Sequence, residues 1–365
     1  MKYLDEYRDP ALAHRILDKI AEACGERSEL AAIMEVCGTH TMSIARAGLR
    51  SLLGENLRLL SGPGCPVCVT PNDYLDRAIA IARQRDAIIA TFGDMMKVPG
   101  SSSSLYQERG NGARIEMVYS PLDALKIAEQ NPLNKVIFLG VGFETTAPTV
   151  AATLAKARAD GVKNFFVLCG HKIVPPALFA LVNDPELKLD GFLCPGHVSA
   201  IIGSRPYEFI ARDYGLPCVI AGFEPLDILQ GIWMILRQII EKRGASVEIQ
   251  YSRAVAAEGN PKAAAFMEKV FEPVDSIWRG LGKIPASGLA IKEEFGDWDA
   301  ARVIQADVGE TREPAGCICG MILRGVRLPM DCPLFRKTCT PENPVGACMV
   351  SSEGTCAAYY KYGNG

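Results

Sequence analysis

Cys37, Cys65 and Cys68 stand in two short Gly-containing segments, CGTHT and GPGCPVC, and six further cysteines crowd the last 49 residues. Those six are Cys317, Cys319, Cys332, Cys339, Cys348 and Cys356, with 1, 12, 6, 8 and 7 residues between them. Thiolates are soft metal ligands and redox groups, so two thiol clusters on one chain point to metal and redox chemistry. Cys65 and Cys68, at i and i+3, suit a thioredoxin-like couple, half of a zinc site or two ligands of one iron. A helix beginning near Pro71 would depress their pKa. No second CxxC completes a four-cysteine zinc ribbon, which weighs against zinc.

The tail places six cysteines in 40 residues rich in Pro and Gly, a composition that cannot easily form an apolar core. A metal centre is the natural staple. Six thiols exceed the four that one [4Fe-4S] cluster needs and leave two for a redox disulfide beside it. His40, His171 and His197 occupy loops, as do Glu144 in GFETTAP and Asp94 in FGDMMK. These two acids could be acid–base groups or helix N-caps. His14 belongs to an N-terminal helix surface, and Cys24, Cys169, Cys194 and Cys218 lie in or beside apolar segments as packing residues.

These residues need a scaffold, and the chain supplies a repeated one. Eight short apolar runs are each followed by a Gly- or Pro-rich loop: 30–36, 56–61, 87–92, 113–119, 135–141, 164–169, 191–194 and 217–223. Continuous rather than alternating apolar runs predict strands buried on both faces of parallel sheets. Segments such as DYLDRAIAIARQ and TVAATLAKARADG have helical periodicity. The expectation is an α/β fold with two similar doubly wound parallel-sheet domains and a small C-terminal domain. The boundaries expected are an N-terminal helix over 1–29, α/β domains over 30–120 and 121–245, and a C-terminal domain over 246–365. Residues 246–316 read as polar and irregular, with one helix near 262–271. In such sheets ligands bind beyond the carboxyl ends of the strands. Nearly every candidate Cys, His and acid falls there.

Composition narrows the alternatives. The 365 residues are 48% hydrophobic, enough for two or three domains, and a net charge of −3 gives no case for nucleic-acid binding. The charged N-terminal segment lacks a signal-peptide core, and the apolar stretches are too short to span a membrane. A cytoplasmic location is expected, where structural disulfides are rare. Neither a Walker A motif nor GxGxxG after a strand occurs.

The ordered motifs MEVCGTHT, SGPGCPVCVTP, GDMMKVPG, GVGFETTAPT, CGHK, PGHVSAIIG, AGFEPLDIL and CPLFRKTCTPENPVGACMVSSEGTCAAYY resemble those of the HypD family of [NiFe]-hydrogenase maturation. The resemblance runs from about residue 30 to the C-terminus. It implies two α/β domains with a C-terminal [4Fe-4S] domain. The implied activity is that of a metallocofactor assembly scaffold with redox activity, on which the Fe(CN)2CO group is built. Implied partners are a HypC-type chaperone that shares the iron and a HypE-type cyanide donor. Carried over by motif, Cys37 would bind the mononuclear iron, with Cys65 and Cys68 completing the site or cycling between dithiol and disulfide. His40 and Thr41 would hydrogen-bond thiolate or cyanide, and Glu144 would serve as an acid–base group. Cys317, Cys332, Cys339 and Cys356 are expected to hold the cluster, with Cys319 and Cys348 as the redox pair; exchanging Cys317 with Cys319, or Cys348 with Cys356, is the alternative. As an iron ligand, Cys37 is expected to be an ionised thiolate on an open loop. Two competing readings are an iron–sulfur thiol–disulfide reductase without mononuclear iron and a zinc-stapled docking protein.

Overall fold

The computed structural model describes residues 5–27, 29–242 and 244–363. All eight apolar runs form strands: β1 (Ala31–Glu35), β2 (Leu57–Ser61), β3 (Ala87–Thr91), β4 (Arg114–Met117), β5 (Lys135–Gly140), β6 (Phe165–Cys169), β7 (Gly191–Pro195) and β8 (Cys218–Ala221). Three more follow: β9 (Val247–Ile249), β10 (Phe271–Trp278) and β11 (Gly282–Ile291). β3, β7 and β8 are buried throughout, as continuous apolar runs require, whereas edge strand β4 buries only Ile115.

The strands build one five-stranded parallel sheet, β2-β1-β7-β8-β9, and one four-stranded parallel sheet, β4-β3-β5-β6. Sheet membership crosses the expected division at 120/121. The chain leaves the first sheet after β2, builds the whole second sheet, and returns to the first at β7. Register fixes the return, with Ile33, Met34 and Glu35 opposite Gly191, Phe192 and Leu193. Local sequence specifies that a run is a strand but not which strand it pairs with, so a boundary drawn in chain order misses the interleaving.

Helices cover the sheets through apolar stripes. The helix Pro10–Gly25 turns Ile16, Ile20, Ala23 and Cys24 inward against Pro225–Glu241. Asp9 caps it by accepting from the Ala11 and Leu12 amides, a contact worth about 1 kcal/mol. Pro261–Val270 forms the helix expected near 262–271, with Asn260 as its cap.

The region after 246 departs from expectation. β9 completes the first sheet, and β10–β11 is an antiparallel hairpin with a register shift between Val274 and Ser276. The hairpin packs on the helix Val174–Val182 and borders the second sheet. Its polar alternation made it look irregular because one face is exposed. The six tail cysteines join one apolar cluster that also holds Met34, Val36, Cys65, Cys68, Val141 and Phe143 from both sheets. The tail therefore shares the core of the molecule.

Candidate thiol centre and its cleft

Each sheet reverses its strand order once, between β1 and β7 in the first and between β3 and β5 in the second. Such switch points open a crevice at the strands' carboxyl ends. Here both crevices meet in one cleft of about 330 Å³. Val36 and Cys37 follow β1, Pro195 and His197 end β7, Phe92 and Asp94 follow β3, and Val141–Phe143 follow β5. Gly64, Pro66 and Val67 complete the wall from the CPVC loop.

Cys37 is the N-cap of the helix Gly38–Arg46. Its amide donates to Glu35 Oε2 at 3.2 Å, and the Gly38 amide donates to Gly64 O at 2.8 Å. A Cβ on Gly64 would lie 2.3 Å from the Cys37 nitrogen, so only glycine lets the two thiol loops touch. Cys37 borders the cleft but is only 7% exposed, and with no iron bound, burial, with Glu353 adding its charge, pushes the thiol pKa up to about 12.

His40 and Thr41 lie on that helix but face inward. The Thr41 hydroxyl donates to Glu35 Oε1 at 2.6 Å, and His40 Nε2 lies 2.9 Å from Gly222 O and 3.2 Å from Ala221 O. Burial lowers the His40 pKa to about 4, leaving the ring neutral with Nδ1 unpartnered. The two side chains therefore tie the Cys37 helix to β1 and β8, and neither borders the cleft. Glu144 is also buried, and Oε1 accepts from the Val174 amide at 2.9 Å at the start of the helix Val174–Val182. Of its two readings, this contact fits the helix-end role. Asp94 instead borders the cleft and accepts from Ser351 Oγ at 2.9 Å.

Cys65 and Cys68 form a disulfide across the first turn of the helix Pro66–Val69. Cys68 Sγ lies 4.0 Å from Ala347 O, next to Cys348. The hairpin tip holds this loop against the tail. The Arg279 amide donates to Val69 O at 2.9 Å and its Nε to Thr70 O at 3.0 Å. Gly280 meets Gly320 backbone to backbone, beside Cys319.

Cys317, Cys319, Cys332, Cys339, Cys348 and Cys356 line one apolar pocket with Phe335 and Met349. Cys319 Sγ and Cys348 Sγ lie 2.9 Å apart, and the Val345 amide donates to Cys339 Sγ at 3.4 Å. Cys317 and Cys348 as thiol neighbours, with Arg279 behind them, hold the Cys319 thiol well below its usual pKa, while Cys348 is raised. A buried set of soft sulfur donors with an amide aimed at one sulfur suits a thiolate-ligated iron–sulfur group. Among the described residues no three Cys, His, Asp or Glu side chains are already arranged around a single ion position, and these sulfurs pack against one another.

Sequence reasoning missed the residues joining the two centres. The loop between Cys348 and Cys356 crosses to the cleft, where Thr39 Oγ1 donates to Glu353 Oε1 at 2.7 Å. Burial raises the Glu353 pKa, and Asp94 adds to the shift. Ser351 and Glu353 carry no motif beyond a position between two cysteines, and that spacing was the available signal. His197, noted only as a loop histidine, is exposed at the cleft mouth and stacks on Phe223 with ring centroids 4.0 Å apart. Cys24, Cys194 and Cys218 are buried, as expected for packing residues, whereas Cys169 is half-buried and its thiol donates to Leu289 O at 3.1 Å.

The family model HypD, described as "Hydrogenase formation hypA family", matches residues 11–363. The chain is 49% identical over 370 residues to a "Hydrogenase expression/formation protein HupD" of Azotobacter chroococcum, covering 100% of this chain and 97% of the relative. It is also 49% identical to a "Hydrogenase maturation factor HypD" of Cupriavidus necator, with 100% and 97% covered. Against the Escherichia coli protein named "Hydrogenase maturation factor HypD" the identity is 45%, with 99% and 98% covered. Among the described residues no helix is long and apolar enough to cross a membrane.

Proposed function

The chain belongs to the HypD family of hydrogenase maturation factors, and from that premise we propose that its cleft is where the iron group is assembled. The iron carrying CN and CO is cargo, held by Cys37 and by a cysteine of a HypC-type chaperone at the cleft mouth. A HypE-type partner would deliver cyanide there. The observation that carries this reading is Cys37 at the shared switch point of both sheets, with the CPVC loop against it.

The buried Cys37 thiol must lose its proton to bind iron. Glu353 and Glu35 are the acids that act on it, and the Glu353 carboxylate, made more basic by burial, can accept that proton. Reduction of the Cys65–Cys68 disulfide to two thiols takes two electrons and two protons. Cys317, Cys332, Cys339 and Cys356 would hold a [4Fe-4S] cluster, which supplies one-electron transfer when bound. Cys319 and Cys348 would be the dithiol beside it, and Cys68 Sγ of the other pair lies 4.0 Å from the Ala347 carbonyl that precedes Cys348. Loading must spread the packed tail sulfurs.

Infrared spectroscopy of protein co-purified anaerobically with its chaperone tests this assignment. CN and CO stretching bands that vanish in Cys37→Ala are expected. Their persistent absence from the wild type favours the thiol–disulfide reductase. Zinc without acid-labile sulfide in the purified protein would eliminate the cluster and leave the zinc-stapled docking protein.

A further inference from the structure

The CGHK segment ends β6, and the function above does not use it. Its residues border a separate cleft of about 530 Å³ between the start of the helix Asn72–Ala82, the end of β6 and the β10–β11 hairpin. Lys172 is 5% exposed, and its Nζ donates a hydrogen bond to Ser276 Oγ at 2.5 Å. No carboxylate among the described residues lies within ion-pairing distance of it. An ammonium carries three donors, so this one is underpaired for its burial. Arg77 gives one hydrogen bond to Ala301 O at 2.6 Å, while its buried Nε has no partner. His171 Nε2, in a ring that is 1% exposed, has none either.

The acids of the cleft are better satisfied. Asp275 pairs with Lys283 at 3.1 Å, Asp299 accepts from the Ala301 amide at 2.9 Å, and Asp73 accepts from the Tyr74 amide at 2.9 Å. Asp73 and Asp299 offset part of the Lys172 and Arg77 charge from a distance, but the buried atoms left without a partner here are Arg77 Nε and His171 Nε2, and no carboxylate oxygen of the cleft is among them. We propose that this cleft is a second ligand site, which takes the carboxylate or phosphate of a small metabolite on Lys172 and Arg77. Burial already lowers the Lys172 pKa to about 8, and a bound anion would reverse that. The site also touches the iron cleft, because the Lys172 amide donates to Gly142 O at 2.9 Å and Gly142 borders Cys37's cleft.

The full-length protein is treated with an amine-acylating reagent in sodium acetate, sodium phosphate or sodium chloride of equal ionic strength. Acylation of Lys172 is read by peptide mass spectrometry, with exposed Lys283 as internal control. Acetate or phosphate at about twice its dissociation constant should slow Lys172 labelling about threefold and leave Lys283 unchanged. Protection by acetate alone identifies a carboxylate ligand, and protection by phosphate alone a phosphoryl ligand. Arg77→Ala should remove most of the protection, so the test does not depend on a Lys172 variant that folds. Equal labelling in all three salts, or equal protection in Arg77→Ala, overturns the proposal. Neither outcome bears on the iron cleft, whose infrared test is separate.

Discussion

At the scale of single residues, burial governs the chemistry. Cys37 is held neutral by its surroundings, with Glu353 adding to the cost of a thiolate. Glu353→Gln removes that nearby charge while keeping an acceptor for Thr39, so the Cys37 pKa should fall and its alkylation at pH 8 should quicken. An unchanged rate would mean that Glu353 does not act on Cys37. A second expectation concerns acid stability. Glu144 is raised to about 7 and His171 lowered to about 3, both by burial. The raised carboxyl destabilises the fold at high pH, and that cost disappears as pH falls from 7 towards 4.5. The lowered histidine acts the other way: the unfolded chain binds its proton below about 6.5, so stability is lost as pH falls further. The two trends oppose each other between about pH 6.5 and 4.5, each worth on the order of a few kcal/mol. Glu144→Gln removes one arm, so its urea midpoint should drop between pH 7 and 5 more steeply than that of the wild type. Parallel midpoints in the two proteins would show that Glu144 is not buried as a neutral acid. Burial of this kind was not legible locally, since GFETTAP and CGTHT read equally well as open loops.

Among the elements, the β10–β11 hairpin links most parts of the site, and its sequence announced it least. Its tip sets Arg279 on the CPVC loop and Gly280 on Gly320. Gly280 has φ 82°, and a Cβ there would lie 2.3 Å from the Gly320 Cα. Gly282 has φ 78° but meets nothing within 4 Å. Gly282→Ala should therefore cost only the left-handed backbone, about 1–2 kcal/mol. Gly280→Ala should cost more, roughly 2–4 kcal/mol with the backbone clash added, and should lower the iron and sulfide bound by the tail. Equal effects of the two variants on stability and iron content would remove the hairpin from the thiol centre. The eight predicted strands were readable because each is a short apolar run between Gly and Pro breakers, even edge strand β4, which buries only Ile115. The hairpin was not, because strands exposed on one face alternate polar with apolar residues and resemble irregular chain.

For the whole molecule, the tail thiols belong to the core that joins both sheets. Replacing Cys332 or Cys339 with Ser should abolish cluster absorption and also raise hydrogen exchange in residues 62–70, which pack on the tail. A full iron and sulfide complement in Cys332→Ser would falsify its assignment as a ligand. Sequence alone determined eight of the nine strands of the two parallel sheets, the placement of the Cys-bearing loops at strand ends, and the family. Each follows from local pattern: apolar runs mark buried strands, and ordered motifs mark kinship. Only tertiary structure decided that the chain leaves the first sheet and returns to it, and that two switch points share one cleft. It also decided that Glu353 reaches Cys37 from 316 positions away in the sequence. Strand partnership and burial depend on what packs against a segment, and an apolar run or a Gly-rich loop carries no record of its distant neighbour.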